Sequence, residues 1–340
     1  MTRFALLVRE SSNRVYAGES QRLLAAELLA VAPALHARVA DVDEVDVGGV
    51  PYVVFDVADD VAHNGLDDHD RFVVSNLSTA RTVFEVRADG SLVPIDVTLL
   101  AHFDDDLVTS QRYPGKTNEQ FTHLLVNLTV AASRAAHERA SSGAPVRLLD
   151  PVAGRGSTLN RALLYDFDAT GIEVVEADVD QYRAFLVPYL KEHREKHRTS
   201  SERIRKGPLA GTSSWSVTVR GAHEVRMVRG PSEHAAELLA GRTFDVVVGD
   251  LPYGVQHRAG AGDANRRSPE EFVDLAVDGW RQVMRRGAAI GLSWNVRTMT
   301  RSALVTRLVS AGFEPVEQPR SFEHVVDRSI TRDLVVARVA

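Results

Sequence analysis

The chain has 340 residues, of which 44% are hydrophobic and 25% charged, and its formal net charge is −6. This composition is typical of globular proteins, and the length leaves room for two domains. The absence of cysteine excludes disulfides, thiolate zinc sites and a cysteine nucleophile. No apolar run reaches 18 residues and the N-terminal one is too short for a signal peptide, so we expect a cytoplasmic protein with no membrane contact.

Charge is divided unevenly along the chain. Residues 1–110 hold 8 Lys and Arg against 19 Asp and Glu, and the segment 41–70 alone holds ten acids and no Lys or Arg. The remaining residues hold 32 Lys and Arg against 27 Asp and Glu. A polyanionic partner is therefore expected to contact the C-terminal two-thirds of the chain.

Residues 1–110 are predicted to form a small α+β domain, for which a ferredoxin-like arrangement is one option. Apolar periodicity predicts a helix at 20–32 with Ser20 as its N-cap. Asp89 and Gly90 supply the chemistry of a hairpin turn. The predicted strands of this domain are 3–8, 51–57, 71–76, 81–87 and 92–97.

Residues 111–145 are predicted to be a connector helix and its flanks. Pro114 and Gly115 interrupt the chain, and Thr117 with Gln120 gives the Thr-x-x-Gln pattern of a capping box. Apolar residues then recur at helical spacing over 121–128. The sequence thus predicts a helix that Thr117 caps.

From residue 146 to 340, apolar strands alternate with helices. This pattern predicts a doubly wound, mostly parallel, seven-stranded Rossmann-like sheet that closes on antiparallel strands. The segment 191–222 interrupts the alternation, with seven Lys and Arg against three acids in 191–206. We interpret it as a helix end and flexible loop, or as an arm that contacts phosphates. The predicted parallel strands are 146–150, 169–175, 224–230, 244–250 and 288–294, and the helices begin near 157, 179, 231, 269 and 300.

A glycine turn follows the first of these strands. Asp150 ends the strand, and Gly154 and Gly156 precede a helix, which is where α/β sheets bind nucleotide-like ligands. Glu173 ends the second strand, 23 residues after Asp150, where a carboxylate can bind ribose hydroxyls. The alternative is a glycine turn that serves folding alone.

The sequence Asp-Leu-Pro-Tyr-Gly at 250–254 ends the fourth strand, beside the glycine turn. An amino group on a purine ring is a poor nucleophile because its lone pair is delocalised. The Asp250 carboxylate and a backbone carbonyl near Pro252 can accept its two N–H groups and direct the lone pair at an electrophile. Tyr253 offers a stacking face for the base, and Gly254 leaves room beside it.

With these motifs in place, residues 146–340 resemble the class I S-adenosylmethionine-dependent methyltransferases. Within that superfamily they are similar to the THUMP-associated tRNA guanine-N2 methyltransferases. The resemblance rests on Asp-Pro-Val-Ala-Gly-Arg-Gly at 150–156, on Asp-Leu-Pro-Tyr-Gly with its accepted Leu251 variant, and on the closing strands near 327–338. It implies S-adenosyl-L-methionine as cofactor, with the following contacts: Asp150, Ala153, Gly154, Gly156, Glu173, Thr117, Asn118 and Phe121.

Three departures from the family pattern qualify what the resemblance implies. Arg155 stands where the family has a small residue in the glycine loop. The third strand offers only Ser232 or Glu233, and not an Asp, for the adenine amine. No THUMP module is evident, so a partner subunit could supply the grip on RNA; the chain itself is expected to be a monomer. Candidate phosphate contacts after the target-base motif are Arg258, Arg266 and Arg267, although each has a solvent-exposed arginine as its ordinary interpretation.

These observations favour methylation of an exocyclic amine, guanosine N2 in tRNA, with Asp250, Pro252 and Tyr253 as catalytic residues and no metal. Leu251, Gly254 and the three arginines above would contact the RNA. The alternatives are amine methylation at adenine N6 or elsewhere in rRNA or DNA, and a small-molecule methyltransferase. A non-enzymatic RNA-binding scaffold is a further alternative, which the intact Asp-Leu-Pro-Tyr sequence disfavours.

Overall fold

The computed structural model describes residues 1–11, 13–58, 65–100, 102–203, 211–252 and 268–340. Its contacts divide the chain into two units. The first unit comprises residues 1–100 and 317–331, and the second comprises 101–316 and 332–340. The connector helix therefore groups with the α/β part of the chain, and a C-terminal segment groups with the N-terminal part.

The first unit is built on a five-stranded antiparallel sheet in the order β2-β3-β1-β4-β5. The hairpin turn predicted at Asp89 and Gly90 is present, since the Arg87 carbonyl accepts from the Gly90 N–H at 2.9 Å. The elements are β1 (Thr2–Val8), α1 (Arg14–Ala17), α2 (Ser20–Val31), β2 (Val39–Val47), β3 (Val50–Val57), α3 (Asp68–Ser75), β4 (Ala80–Val86) and β5 (Leu92–Pro94).

Two predictions for this unit are wrong. Ser20 does not cap α2: it lies inside the helix, where its hydroxyl donates to the Tyr16 carbonyl at 2.9 Å. Residues 71–76, predicted as a strand, instead form the end of α3 and its C-cap, Asn76; the helix begins after Asp67, which caps it by accepting the Asp70 N–H at 2.9 Å. The run Phe72–Val74 is too short to determine strand or helix by itself.

The segment 41–70, which holds ten acids and no Lys or Arg, begins in β2, a strand that we did not predict from the sequence. Strand β2 lies at one edge of the sheet, with Val42 buried and the neighbouring Asp41, Asp43, Glu44 and Asp46 exposed. Charged side chains along an edge strand discourage pairing with a second chain. The acids of β2 thus have a structural explanation that needs no anionic or cationic partner.

The second unit contains most of a ten-stranded mixed sheet, whose main path runs β13-β15-β12-β11-β6-β7-β10-β9-β8. Its strands are β6 (Arg147–Asp150), β7 (Asp168–Glu173), β8 (His197–Arg203), β9 (Ser213–Val219), β10 (His223–Arg229), β11 (Phe244–Asp250), β12 (Met284–Asn295), β13 (Phe313–Pro315) and β15 (Thr331–Val339). The tenth strand, β14 (His324–Val325), belongs to residues 317–331 of the first unit. Its helices are α4 (Asp106–Thr109), α5 (Glu119–Ala132), α6 (Arg134–Ser141), α7 (Ser157–Leu164), α8 (Glu176–Glu192), α9 (Ala235–Leu238), α10 (Pro269–Gln282) and α11 (Arg301–Ser310).

The parallel core of this sheet is the predicted one, but the strand number is larger. Strands β10, β7, β6, β11 and β12 are mutually parallel, and β15 runs antiparallel between β12 and β13. Seven strands were predicted; β8 and β9 extend the sheet beyond β10, and β14 is a further short strand. Part of the segment 191–222, interpreted as a flexible loop, therefore forms an antiparallel hairpin.

The strand order creates a topological switch point between β6 and β11, and we call the space beyond the carboxyl ends of these strands the crevice. The chain leaves β6 toward β7 and β10 on one side, and β11 and β12 follow on the other side, so connections diverge at this point. Open α/β sheets bind ligands at such a switch point, beyond the carboxyl ends of the strands.

Among the residues that the structure describes, no helix combines the length and apolarity needed to cross a membrane.

Candidate functional site

Three carboxylates lie at the carboxyl ends of adjacent strands. Asp250 ends β11, Asp150 ends β6 and Glu173 ends β7, and these strands are neighbours in the sheet. Burial of Asp150, helped by the nearby Asp250 and Glu173 charges, raises its pKa to about 7. The Val152 N–H, at 3.0 Å, and the Thr158 side chain bond its carboxyl and oppose this rise. The three carboxylates therefore make the crevice acidic, and one of them, Asp150, is about half protonated at pH 7.

The glycine loop after Asp150 is shaped by two different requirements. Gly156 has φ of 80°, and a Cβ there would come within 2.3 Å of the Tyr182 ring. Gly154 has φ of 51°, and a Cβ there would meet nothing within 4 Å. Packing on α8 thus requires Gly156, whereas Gly154 borders open space at the start of α7, where a ligand can approach the backbone.

Glu173 ties the glycine loop to the second strand. One of its carboxylate oxygens accepts the Gly154 N–H at 2.9 Å, and the other accepts the Val175 N–H at 2.8 Å. The side chain is buried. Ala153 completes the link, because its N–H donates to the Ile172 carbonyl at 2.9 Å. Two of the residues predicted to contact the cofactor, Gly154 and Glu173, are therefore in direct contact with each other.

Asp250 is held by donors from three separate parts of the second unit. The Ser293 hydroxyl of β12 donates to Oδ1 at 2.5 Å, and the Thr117 hydroxyl donates to Oδ2. The Arg332 guanidinium of β15 lies 3.5 Å from Oδ2 and over the Phe121 ring, 5.0 Å from its centroid. Arg332 is buried, and Asp250 keeps about a quarter of its side chain exposed. The carboxylate is therefore fixed in place, partly charge-compensated and still accessible.

Ser293 and Arg332 were not among the predicted site residues. Ser293 lies within an apolar strand, and Arg332 precedes Asp333 in the closing strand. The one available signal was the pair of adjacent charges, Arg332 and Asp333, before the apolar run 334–337, because each buried charge needs a partner. The identity of that partner depends on the sheet order.

The segment 111–118 crosses from the glycine loop to Asp250. The Gln111 amide donates to the Arg155 carbonyl at 3.1 Å, and the Tyr113 hydroxyl lies 3.0 Å from the Ser157 hydroxyl. The Arg155 guanidinium lies 4.8 Å from the Tyr113 ring centroid. At the other end of the segment, Thr117 reaches Asp250.

Two expectations about this region change as a result. Thr117 does not cap α5; Asn118 does, by accepting the Gln120 and Phe121 N–H groups at 2.8 and 3.2 Å. The unusual Arg155 has a local explanation, because its Nε lies 2.9 Å from Asp178 while its guanidinium packs on Tyr113. Arg155 thus anchors the crossing segment to the glycine loop.

The remaining predicted residues are placed as follows. The Ser232 hydroxyl is buried and accepts the Trp280 indole N–H at 2.9 Å, so it is engaged in packing. Phe121 is fully buried. Leu251 is buried and its N–H donates to the Ser293 carbonyl at 2.8 Å, while Pro252 is exposed. Outside the described residues lie Tyr253, Gly254, Arg258, Arg266 and Arg267.

Comparison with known proteins returns only distant similarity. No protein-family model matches the chain, and no curated protein matches it. Among solved structures, TehB from Haemophilus influenzae is 12% identical with a TM-score of 0.35, over 60% of this chain and 61% of that one. A methyltransferase from Pyrococcus furiosus is 14% identical with a TM-score of 0.39, over 67% and 87%. Precorrin-6y C5,15-methyltransferase from Geobacter metallireducens GS-15 is 11% identical with a TM-score of 0.42, over 71% and 99%. Similarity at this level identifies neither a substrate nor an activity.

Proposed function

We propose that this chain is an S-adenosyl-L-methionine-dependent N-methyltransferase that acts on an exocyclic amine of a nucleobase, guanosine N2 in tRNA. The observation that carries the proposal is the position of Asp250. It ends the strand next to the Asp150 glycine loop, and it is held there by Ser293, Thr117 and Arg332.

The residues present fit the cofactor. S-adenosylmethionine carries a sulfonium and an ammonium group, and the crevice contains Asp150, Glu173 and Asp250. Each Glu173 oxygen accepts one backbone N–H and would hold the ribose with its second lone pair. The open space beside Gly154 would admit the methionine part next to Asp150. When bound, the cofactor supplies an electrophilic methyl group.

The residues of the chain then have to position a nucleophilic amine. Asp250 accepts one of its N–H bonds, and a backbone carbonyl near Pro252 accepts the other. Ser293 and Thr117 fix the carboxylate before the amine arrives, so little reorganisation is needed during the reaction. The negative charge of Asp250 stabilises the positive charge that develops on the nitrogen, and Arg332 keeps that carboxylate from being an isolated charge.

The test is a methyl-transfer assay with labelled S-adenosylmethionine and unmodified tRNA, rRNA and DNA offered in parallel. We expect N2-methylguanosine in the tRNA digest. Asp250→Ala should abolish transfer while cofactor binding persists; Asp180→Ala, an exposed acid on α8, is the matched control and should transfer at the wild-type rate. Cofactor binding without label in any nucleic acid, and without rescue by an added partner subunit, would refute the nucleobase assignment.

A second candidate is methylation of an amine in a small molecule. The excess of acids over bases in residues 1–110 favours it, because a nucleic-acid-binding protein is expected to carry basic surface across its domains. Label that appears only with a small-molecule amine pool would support this candidate. A partner subunit that supplies RNA contacts would instead restore tRNA methylation when added.

A further inference from the structure

Residues 194–203 run from the end of α8 through the edge strand β8, in a segment whose sequence allowed either a loop or a phosphate-contacting arm. The four Lys and Arg of this stretch are all exposed: Arg194, Lys196, Arg198 and Arg203. None of the four side chains forms a hydrogen bond or an ion pair with the described part of the chain. We call these four residues the basic strip, because they lead onto and along one edge of the sheet.

The acids of the same stretch are paired with arginines that lie outside it. Glu195 accepts from the Arg220 guanidinium through both of its oxygens, at 2.6 and 2.8 Å. Glu202 lies 3.6 Å from the Arg226 guanidinium of β10. These carboxylates compensate neighbouring arginines and leave the four cations of the basic strip without an acid partner in the stretch.

The sheet register places one end of the basic strip level with the crevice. Strand β8 runs in the same direction as the parallel strands, because β9 is antiparallel to both β10 and β8. Arg203 pairs with Ser213 of β9. Ser213 pairs with Arg229 of β10, which in turn pairs with Glu173. Three strand spacings put the backbone of Arg203 about 14 Å from that of Glu173, and β8 extends about 20 Å from this row to His197.

Prevention of strand pairing explains only two members of the basic strip. Charged side chains along an edge strand discourage pairing with a second chain, as they do in β2. This covers Arg198 and Arg203, which lie in β8. Arg194 and Lys196 precede the strand, so protection of its edge does not require them.

Arg194 has a backbone conformation that favours glycine. It follows His193, the C-cap of α8, and its φ is 56°. Lys191 already supplies a cation to the last turn of the helix, so the helix dipole does not account for Arg194. Arg220 has a similar φ of 55°, but its guanidinium is held by Glu195. A strained residue whose charge has no partner in the described chain indicates a partner outside it.

We propose that the basic strip binds the phosphate backbone of the RNA substrate and leads it to the crevice, an inference that rests on the function proposed above. Uncompensated Lys and Arg side chains bind phosphates by releasing counterions. The exposed hydroxyls of Thr199, Ser200 and Ser201 lie between Arg198 and Arg203 and can donate to phosphate oxygens. An anionic membrane fits this surface less well, because none of the seven residues of β8 is apolar and able to enter a bilayer.

The test is the binding of fluorescently labelled, unmodified tRNA to the full chain, followed by anisotropy over a range of salt concentrations. Lys196→Gln combined with Arg198→Gln should weaken binding. It should also lower the slope of log K against log salt by roughly 1.4–1.8, since each phosphate contact contributes roughly 0.7–0.9. Arg134→Gln combined with Arg286→Gln removes the same charge from two exposed arginines on α6 and β12 and should leave the slope unchanged.

A single replacement separates loss of the strip from loss of the fold. Arg194→Gly should lower the slope by roughly 0.7–0.9, as a lost phosphate contact. Its melting temperature should equal or exceed that of wild type, because glycine adopts a φ of 56° without strain. Weaker tRNA binding in a chain that is no less stable can then be assigned to the lost cation.

Equal slopes for wild type, Arg194→Gly and the Lys196 and Arg198 double variant would overturn the proposal, even where the wild-type chain methylates tRNA and the proposed function stands. A wild-type chain with no affinity for tRNA would overturn it as well, and so would binding to phosphatidylserine vesicles in place of tRNA. Loss of tRNA binding in the strip variants, with a wild-type chain that labels no nucleic acid, would support the strip and count against the nucleobase assignment.

Discussion

The replacement Asp150→Asn should stabilise the second unit at neutral pH while it removes a carboxylate that we propose contacts the cofactor. Asp150 has a pKa of about 7 in the folded chain, against 3.8 for an exposed aspartate. The folded state therefore holds a proton between those values that the unfolded state has released. The stabilisation from this raised pKa is fully present below about pH 4 and is lost as pH rises through 7.

The magnitude follows from that interval. Each pH unit between the two pKa values changes the free energy of unfolding by about 1.4 kcal/mol, so pH 5 to 7 accounts for about 3 kcal/mol. Asparagine cannot ionise, but it can still accept the Val152 N–H. Between pH 5 and pH 8, the free energy of unfolding of the variant minus that of wild type should therefore rise by about 3 kcal/mol, whatever this difference is at pH 5.

Urea unfolding followed by tryptophan fluorescence measures this difference. Trp215, Trp280 and Trp294 are the only tryptophans of the chain, and all three are buried in the second unit. They therefore report on the unit that contains Asp150. A difference between variant and wild type that stays constant within about 0.5 kcal/mol from pH 5 to 8 would refute the reasoning, since no proton would then be linked to folding at this residue.

Three further predictions follow from the site. Gly156→Ala drives a Cβ into the Tyr182 ring and should lower the free energy of unfolding by about 2–4 kcal/mol. Gly154→Ala should lower it by about 1–2 kcal/mol and should mainly weaken cofactor binding. Urea unfolding measures the loss of stability, and calorimetry measures the loss of cofactor binding. Arg332→Met should lower kcat by roughly 10–100-fold with little change in cofactor Kd, and Arg332→Lys should restore part of it; an unchanged kcat would show that Asp250 needs no support from β15. Asn118→Ala should cost about 1 kcal/mol as a lost helix cap, and equal stability in urea would contradict the assignment of that cap.

The parallel core of the second unit could be predicted because its strands carry an unambiguous pattern. Val246, Val247 and Val248 are all buried, as expected when helices cover both faces of a strand. The hairpin of β8 and β9 lacks this pattern, since β8 is exposed from Arg198 onward. Its pairing depends on β10, which lies beyond it in sequence. Because β8 forms a strand only by pairing with β9, its own sequence lacks the apolar pattern of a strand and resembles a loop.

Local competition explains the errors at helix starts. Thr117 and Asn118 are both good capping residues, and the sequence does not rank them. In the folded chain the Thr117 hydroxyl bonds Asp250, 133 residues away, and Asn118 is left to cap α5. The choice between two adequate caps is thus made by a contact that no short window of sequence contains.

The Asp250 site shows in addition how one antiparallel strand contributes to a parallel sheet. The parallel strands present their carboxyl ends to the crevice, so Asp150, Glu173 and Asp250 all come from strand ends. Strand β15 runs the other way, and its first residues, paired with Asn295 at the end of β12, reach the same edge. Arg332 is the second residue of β15 and lies against Asp250 for this reason. The reversal of a single strand thus brings the buried Arg332 guanidinium beside the Asp250 carboxylate, at an edge of the sheet where the parallel strands present Asp150 and Glu173.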